Sequence, residues 1–163
     1  MNYQTISDLT PPKAFAHHSD RIVRGRYPDN KGVQFISDMG IRKFISLGAG
    51  FPGIPERNMG KSNKIEITHY PISLIDCGEF QVQFDDQLTS IIDYILIKNP
   101  DSKIYVYDDD GYSVVGIVCA ILRRTEGWDT VSAIAECVRF FPGGNFNADV
   151  ASLISNFNIA KWT

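Results

Sequence analysis

Apolar side chains recur along the chain at two different spacings, and each spacing predicts a different kind of element. Residues 84–98 carry apolar side chains at intervals of three and four, which predicts an amphipathic helix ended by Asn99-Pro100. Residues 114–122 are apolar nearly all round, which is typical of a helix buried inside a domain. Short apolar runs between glycine, proline and asparagine instead predict strands around Ile22 and Val23 and at residues 41–48, 65–73 and 103–107.

Further helices are predicted near both ends of the chain. Residues 32–39 form a short helix before Gly40, and residues 148–157 form the last helix. Between them, Asp129 can cap a helix that runs to about residue 140, with its apolar stripe at Val131, Ile134 and Val138.

Strands alternate with helices until the chain closes with consecutive helices. This order predicts an α/β domain with a small, mostly parallel central sheet flanked by helices. We expect an extended arm at residues 1–13, a single domain at residues 14–157 and a tail at residues 158–163. The glycine- and proline-rich segment 49–64 is expected to be a loop or a loop that carries one short helix.

Composition and charge narrow the classes of function. The 163 residues carry a net charge of −3, so no basic field is available for nucleic acid or an anionic membrane surface. The apolar runs are short, and the first residues lack a signal-peptide pattern. The three cysteines, Cys77, Cys119 and Cys137, have no metal-binding spacing. We therefore expect a cytoplasmic protein without a cofactor.

The segment 103–124 contains the main functional clue. It reads KIYVY, DDDGYSVVG and IVCAILRR, which predicts a buried strand, a tight loop and a helix that begins almost at once. Unpaired N–H groups at such a helix N-terminus normally favour a bound anion. Here the loop brings its own negative charge in Asp108, Asp109 and Asp110.

The order of these segments resembles that of the cysteine-based dual-specificity phosphatases, closest to the atypical plant and fungal branch that acts on inositol pyrophosphates. The resemblance covers about residues 14–157. It rests on three stretches taken together, IVRGRYPDNKGVQFISDMGIRKFISLG, ITHYPISLID and KIYVYDDDGYSVVG, and on the helical segment ILRRTEGWDTVSAIAECVRFFPGG after them.

The resemblance fails at the reacting groups. The family loop reads His-Cys, five residues, Arg and then Ser or Thr. Laid on this sequence, the motif residues fall in that order on Tyr107, Asp108, Val114 and Val115. Gly111 and Gly116 keep the family's glycine positions. The resemblance therefore implies a degenerate site made of Tyr107, Asp108, Asp109, Asp110, Gly111, Tyr112, Ser113, Val114 and Val115.

A cysteine phosphatase needs a thiolate nucleophile and a guanidinium that stabilises the transition state. Neither is present at Asp108 or Val114. Asp76 aligns loosely with the family's general acid, and without a nucleophile that role lapses. We therefore expect a catalytically inactive phosphatase-like domain that binds or regulates. We also expect a protein partner, for which an active relative is one candidate. The sequence does not predict an oligomeric state.

A second hypothesis starts from the same residues. Asp108-Asp109-Asp110-Gly111 matches the Asp-x-Asp-Gly motif of Mg²⁺-dependent phosphohydrolases, in which Asp108 would be the nucleophile and Asp110 the acid or base. The chain after this motif is short and mostly helical, and it lacks a later Asp-Asp pair. The carboxylates of Asp108 and Asp110 would also be the ligands of the metal in this alternative.

The loop sequence also predicts what replaces a bound anion. Gly111 and Gly116 keep the backbone freedom that the family's loop shape needs. In that shape, the carboxylate of Asp108 is the nearest acceptor for the loop amides. We expect Asp108 to accept their hydrogen bonds and to have a depressed pKa as a result.

Overall fold

The computed structural model describes residues 10–48, 64–72, 81–144 and 146–163. Its strands are β1 (Ala16–His17), β2 (Ile22–Arg26), β3 (Lys43–Ser46), β4 (Glu66–His69) and β5 (Ile104–Asp108). Its α-helices are α1 (Asn30–Asp38), α2 (Gln81–Asp93), α3 (Ser113–Thr125), α4 (Thr130–Arg139) and α5 (Ala148–Asn156). A π-helical turn, Tyr94–Lys98, follows α2, and 3₁₀ turns lie at Pro142–Gly144 and Ala160–Trp162. Most of the predicted segment 49–64 lies outside the described residues.

The five described strands form one sheet in the order β1-β2-β5-β3-β4. β5 is parallel to both of its neighbours, β2 and β3, and β3 is parallel to β4. Only the two-residue strand β1 pairs antiparallel among these strands. The predicted α/β fold with a mostly parallel sheet is confirmed.

Helices cover both faces of this sheet, and β5 shows how the faces are divided. Ile104 and Val106 belong to the apolar cluster formed with α2, α3, α4 and α5. Tyr105 and Tyr107 belong to the smaller cluster that includes Val33 and Ile36 of α1. Since alternate side chains of a strand point to opposite faces, a continuous apolar run is required here.

The helix α3 is the most deeply buried helix among the described residues. Every residue from 114 to 122 is buried, as the unbroken apolar run predicts. The helix ends where Gly127 adopts a φ of +93°, a conformation that glycine reaches without strain.

The helix predicted over residues 84–98 changes character at Tyr94. The chain continues there as the π-helical turn Tyr94–Lys98, which buries Tyr94 and Ile95 and leaves Ile97 54% exposed. The side chain of Arg21 supplies hydrogen-bond donors to carbonyl groups of this irregular turn and of the residues that follow it. Its guanidinium donates hydrogen bonds at 3.1 Å to the carbonyls of Ile95, Asn99 and Ser102. A partner so distant in sequence cannot be inferred from helical spacing.

The apolar stripe predicted for α4 was right in part. Ile134 packs against the main apolar cluster, whereas Val131 is 77% exposed, and the fully buried residues of α4 are the small ones, Ala133 and Cys137. A β-carbon at Gly116 of α3 would lie 2.9 Å from Cys137 Sγ, so the two helices meet closely. Close approach favours small side chains over the large ones that a periodicity argument selects. Asp129 does cap the helix, accepting a hydrogen bond from Ser132 N.

Residues 158–163, expected to be a tail, pack against the domain. The rings of Phe157 and Trp162 stack at 5.9 Å, and Trp162 Nε1 donates to Asp93 Oδ1 at 2.9 Å. Lys161 forms an ion pair with the same carboxylate at 2.6 Å.

We expect Gly116→Ala to destabilise the protein by about 1 kcal/mol, because a clash with Cys137 Sγ outweighs the better helix propensity of alanine. Urea denaturation of Gly116→Ala, Cys137→Ala and the double variant measures the coupling. The double variant should lose less stability than the sum of the single variants. Additive losses would contradict the close contact.

Candidate functional site

The strand, loop and helix predicted over residues 103–124 lie at the centre of the sheet. β5 ends at Asp108 and α3 begins at Ser113, so only four residues turn the chain. β2 and β3 flank β5 and run in the same direction. The carboxyl edge of a parallel sheet at a central strand is where α/β domains commonly place a ligand site.

Asp108 fills the space inside this loop. Its Oδ1 accepts a hydrogen bond from Gly111 N at 2.5 Å, and its Oδ2 accepts from Val114 N at 2.8 Å and Val115 N at 3.0 Å. The side chain lies under the loop, and the residue is only 3% exposed. The amide contacts predicted from the sequence are confirmed.

The predicted depression of the Asp108 pKa was wrong. Burial raises the pKa of Asp108 from 3.8 to about 6, and the negative charge of Asp110 adds to this effect. The hydrogen bonds from Val115 and Gly111 lower the pKa, but not enough to offset burial. The sequence does not show that β5 continues to Asp108 and removes its carboxylate from water.

Asp110 has a different role in the same loop. Its Oδ1 accepts hydrogen bonds from Tyr112 N at 2.9 Å and Ser113 N at 2.8 Å, and the Ser113 hydroxyl donates to Oδ2. Burial would raise the pKa of Asp110, but the hydrogen bonds from Ser113 and Tyr112 hold it below its ordinary value. Asp110 therefore caps the start of α3 as an ionised carboxylate.

Asp109 is the exposed carboxylate of the three. Its Oδ1 lies 2.5 Å from the position that a β-carbon of Gly48 would take, so Asp109 covers the chain just after β3. Its carbonyl accepts a hydrogen bond from Arg26 Nε at 3.0 Å. The loop is thereby joined to the ends of both neighbouring strands.

Gly111 is required by both conformation and space. Its φ is +87°, and a β-carbon there would lie 2.9 Å from Ala14 Cβ and 3.0 Å from Arg26 N. The backbone of Arg26 in turn donates to Lys13 O at 2.9 Å, and Tyr27 N donates to Asp108 O at 2.7 Å. The loop therefore packs tightly against the end of β2 and the segment before β1.

The other predicted site residues point mainly into the core. Tyr107 is buried and its ring stacks on Tyr105 at 5.1 Å. Val114 and Val115 are 5% and 0% exposed and belong to the main apolar cluster. Tyr112 contacts the ring of Phe141 at 5.1 Å. Asp76 lies outside the described residues.

With this geometry established, comparison with known proteins identifies the family. A model described as the tyrosine phosphatase family matches residues 9–162. The chain belongs to the tyrosine phosphatase family. This confirms the resemblance drawn from the sequence.

Solved structures of the tyrosine phosphatase fold are similar along nearly the whole chain. The core catalytic domain of SIW14 from S. cerevisiae, a PP-IP phosphatase crystallised with citrate, is 17% identical with a TM-score of 0.81, and the match covers 94% of this chain and 90% of that one. TpbA from P. aeruginosa is 14% identical, with a TM-score of 0.71 and coverage of 90% and 86%. Human DUSP28 is 13% identical, with a TM-score of 0.61 and coverage of 91% and 95%. At these identities the similarity shows a shared fold.

A search of curated proteins finds no match to this tyrosine phosphatase family member. Within the described ranges, no helix is long and apolar enough to cross a membrane. In the same residues, no three histidine, cysteine, aspartate or glutamate side chains are grouped so that they could hold a metal ion.

Sequence reasoning missed Arg24, which lies beneath the loop of this tyrosine phosphatase domain. Arg24 is 1% exposed on β2, and its Nη2 lies 3.5 Å from Gly111 O. Its guanidinium carbon is 3.7 Å from the centre of the Phe140 ring. An arginine inside a short strand gives no signal of burial, because arginine is mostly found at the surface.

A cleft of about 480 Å³ lies beside the loop. Its lining combines both signs of charge, from Lys13, Arg26, Asp29 and Asp109. Prolines and the ring of Tyr27 form the remaining wall, together with Thr10. The family's site region thus carries a mixed-charge cleft at the edge of an acidic loop.

Replacing Asp108 by asparagine should destabilise the domain by about 1–3 kcal/mol at pH 7, because an amide NH₂ must face at least one of the loop N–H groups. Asp109→Asn is the matched control and should change stability by less than about 0.5 kcal/mol. Thermal denaturation of both variants measures the difference. Equal losses would show that the amide contacts of Asp108 do not stabilise the loop.

The raised pKa of Asp108 sets the sign of a pH effect. The folded state binds the proton more tightly than the unfolded state, so wild-type stability should fall relative to Asp108→Asn as the pH rises from 3.8 through about 6. Urea denaturation at intervals across that range measures the trend. If the wild-type protein instead becomes more stable relative to Asp108→Asn over the same pH range, the pKa of Asp108 is depressed in the folded state.

Proposed function

We propose that this protein is a catalytically inactive phosphatase-like domain that serves as a binding or regulatory module. The main support is the carboxylate of Asp108, which accepts three amide hydrogen bonds inside the loop. By the family resemblance, this is the loop that receives the phosphoryl group of a substrate. In this chain those amides already have an acceptor.

The aligned reacting positions support the same proposal. A carboxylate held by loop amides and 3% exposed is poorly placed to attack phosphorus. Val114, at the position that the resemblance assigns to arginine, packs in the apolar core. It offers no donor to the equatorial oxygens of a phosphoryl group in the transition state.

Electrostatics in the loop also oppose a phosphate substrate. Two unit charges 4 Å apart repel by about 4 kcal/mol at an effective dielectric constant of 20. A phosphoryl dianion in the loop would meet the ionised Asp110, the exposed Asp109 and the partly ionised Asp108. Arg26 offsets only part of this, and its Nε already donates to Asp109 O.

The Mg²⁺-dependent alternative receives less support. A metal would need free carboxylate oxygens from Asp108 and Asp110. Both oxygens of each carboxylate accept hydrogen bonds from the loop itself. Binding a cation would require the loop and the first turn of α3 to rearrange.

We propose a protein as the binding partner, with an active relative as one candidate. The cleft beside the loop presents Lys13 and Arg26 together with Asp29 and Asp109. Charges of both signs complement a polypeptide surface better than a polyanion such as nucleic acid. The net charge of −3 likewise favours a protein partner over a polyanion.

The purified protein should not hydrolyse aryl phosphate, phosphotyrosine or inositol pyrophosphate above background. Phosphate release is measured with added Mg²⁺ and with a chelator, for the wild type, Asp108→Ala, Asp110→Ala and the control Asp109→Asn. Turnover that survives chelation and disappears only in Asp108→Ala would overturn the proposal. Turnover that requires Mg²⁺ and disappears in both Asp108→Ala and Asp110→Ala would establish the metal-dependent alternative.

A further inference from the structure

The charged side chains that line the cleft beside the loop do not form ion pairs with one another. Lys13 and Arg26 supply the positive charges, and Asp29 and Asp109 supply the negative charges. None of the four takes part in an ion pair within the part of the chain that the structure describes. A cleft that holds both signs of charge unpaired complements a ligand that itself carries both signs.

Backbone contacts fix the position of the two cationic residues. Arg26 N donates a hydrogen bond to Lys13 O at 2.9 Å, so the two residues lie on adjacent stretches of backbone. Arg26 Nε donates to Asp109 O at 3.0 Å, which orients the guanidinium. The terminal nitrogens of Arg26 make no hydrogen bond within the described ranges. A guanidinium held in this way can bind a carboxylate through two parallel hydrogen bonds.

The fold also fixes the position of the two carboxylates. Asp29 Oδ1 accepts a hydrogen bond from Gly32 N at 2.7 Å and thereby caps α1. Asp109 lies over Gly48, as the 2.5 Å distance from its Oδ1 to a β-carbon at Gly48 shows. Because these groups are already positioned, a bound cation would immobilise little additional side-chain freedom.

The uncharged wall of the cleft is apolar and stiff. Pro11 and Pro12 have a restricted φ, and Pro12 Cγ lies 3.1 Å from the position of a β-carbon at Gly32. The ring of Tyr27 contacts the edge of the Tyr107 ring at 6.3 Å. Prolines beside an aromatic ring suit the extended backbone and the aliphatic stems of a bound peptide.

The same charges disfavour simpler ligands. A phosphate chain would be repelled by Asp29 and Asp109, and a polycation would be repelled by Lys13 and Arg26. The volume of about 480 Å³ falls within the roughly 300–1,000 Å³ that is typical of ligand sites. A short stretch of polypeptide can supply both charges within such a volume.

We propose that the cleft beside the loop binds an unphosphorylated protein segment that carries an acidic and a basic side chain a few residues apart. The acidic side chain pairs with Lys13 and Arg26, and the basic side chain pairs with Asp29 and Asp109. This inference rests on the proposed function, whose protein partner it specifies.

Selection from a library of random, short, unphosphorylated peptides displayed on phage tests this pairing with the full chain. Immobilised wild type is compared with Lys13→Glu and Asp109→Lys. The matched controls are Lys103→Glu and Asp20→Lys, because both residues are exposed and lie near the amino ends of β5 and β2, at the opposite edge of the sheet. We expect the wild type and both controls to enrich peptides that contain an acidic and a basic residue.

Charge swaps then identify which groups meet in the complex. Lys13→Glu should weaken the binding of a selected peptide by at least about fivefold, because an attraction becomes a repulsion. The same peptide with its acidic residue changed to lysine should bind Lys13→Glu more tightly than it binds the wild type. Asp109→Lys should be rescued by the opposite change, at the basic residue of the peptide. Fluorescence anisotropy of labelled peptides measures these affinities.

Three results would overturn the inference: no enrichment of peptides by the wild type, enrichment of peptides of one charge sign only, or charge swaps that match the controls. Phosphate release is measured separately, since unphosphorylated peptides cannot be its substrate. Turnover combined with successful charge swaps would refute the inactivity and keep the cleft as a peptide site. No turnover combined with failed charge swaps would refute the peptide site alone.

Discussion

The structure depends on how the amide groups at the start of α3 are satisfied. A helix that begins inside a packed domain leaves several N–H groups without partners, and burial makes each unsatisfied donor costly. Asp108 supplies the acceptor from the end of the central strand. A single carboxylate thereby fixes strand β5 and the loop to the buried helix α3.

Two neighbouring aspartates show how position decides the behaviour of the same chemical group. Asp108 lies within the sheet edge, where burial favours its protonated form. Asp110 faces the helix N-terminus, where Ser113 and Tyr112 stabilise its ionised form. At a pH below about 6 Asp108 is mainly protonated, and in that range the loop carries less negative charge than its composition indicates.

The sequence predicted those parts of the structure that depend on local pattern. Alternating strands and helices predicted the α/β fold. The Asp108 contacts were predicted because Gly111 and Gly116 allow the loop shape that the family resemblance implies. The failures share a cause, which is that they depend on partners distant in the chain. Burial of Asp108 depends on its neighbours in the sheet, and Val131 is exposed because α4 approaches α3 through smaller residues. Arg24 was missed because an isolated arginine on a strand carries no sign of its surroundings.

The self-contained hydrogen bonding of Asp108 has an evolutionary consequence. A chain that changed Asp108 to cysteine alone would lose both oxygens that hold Gly111, Val114 and Val115, and it would gain no group at position 114 to grip an anion. That single change therefore passes through a less stable protein, and selection for folding alone opposes it.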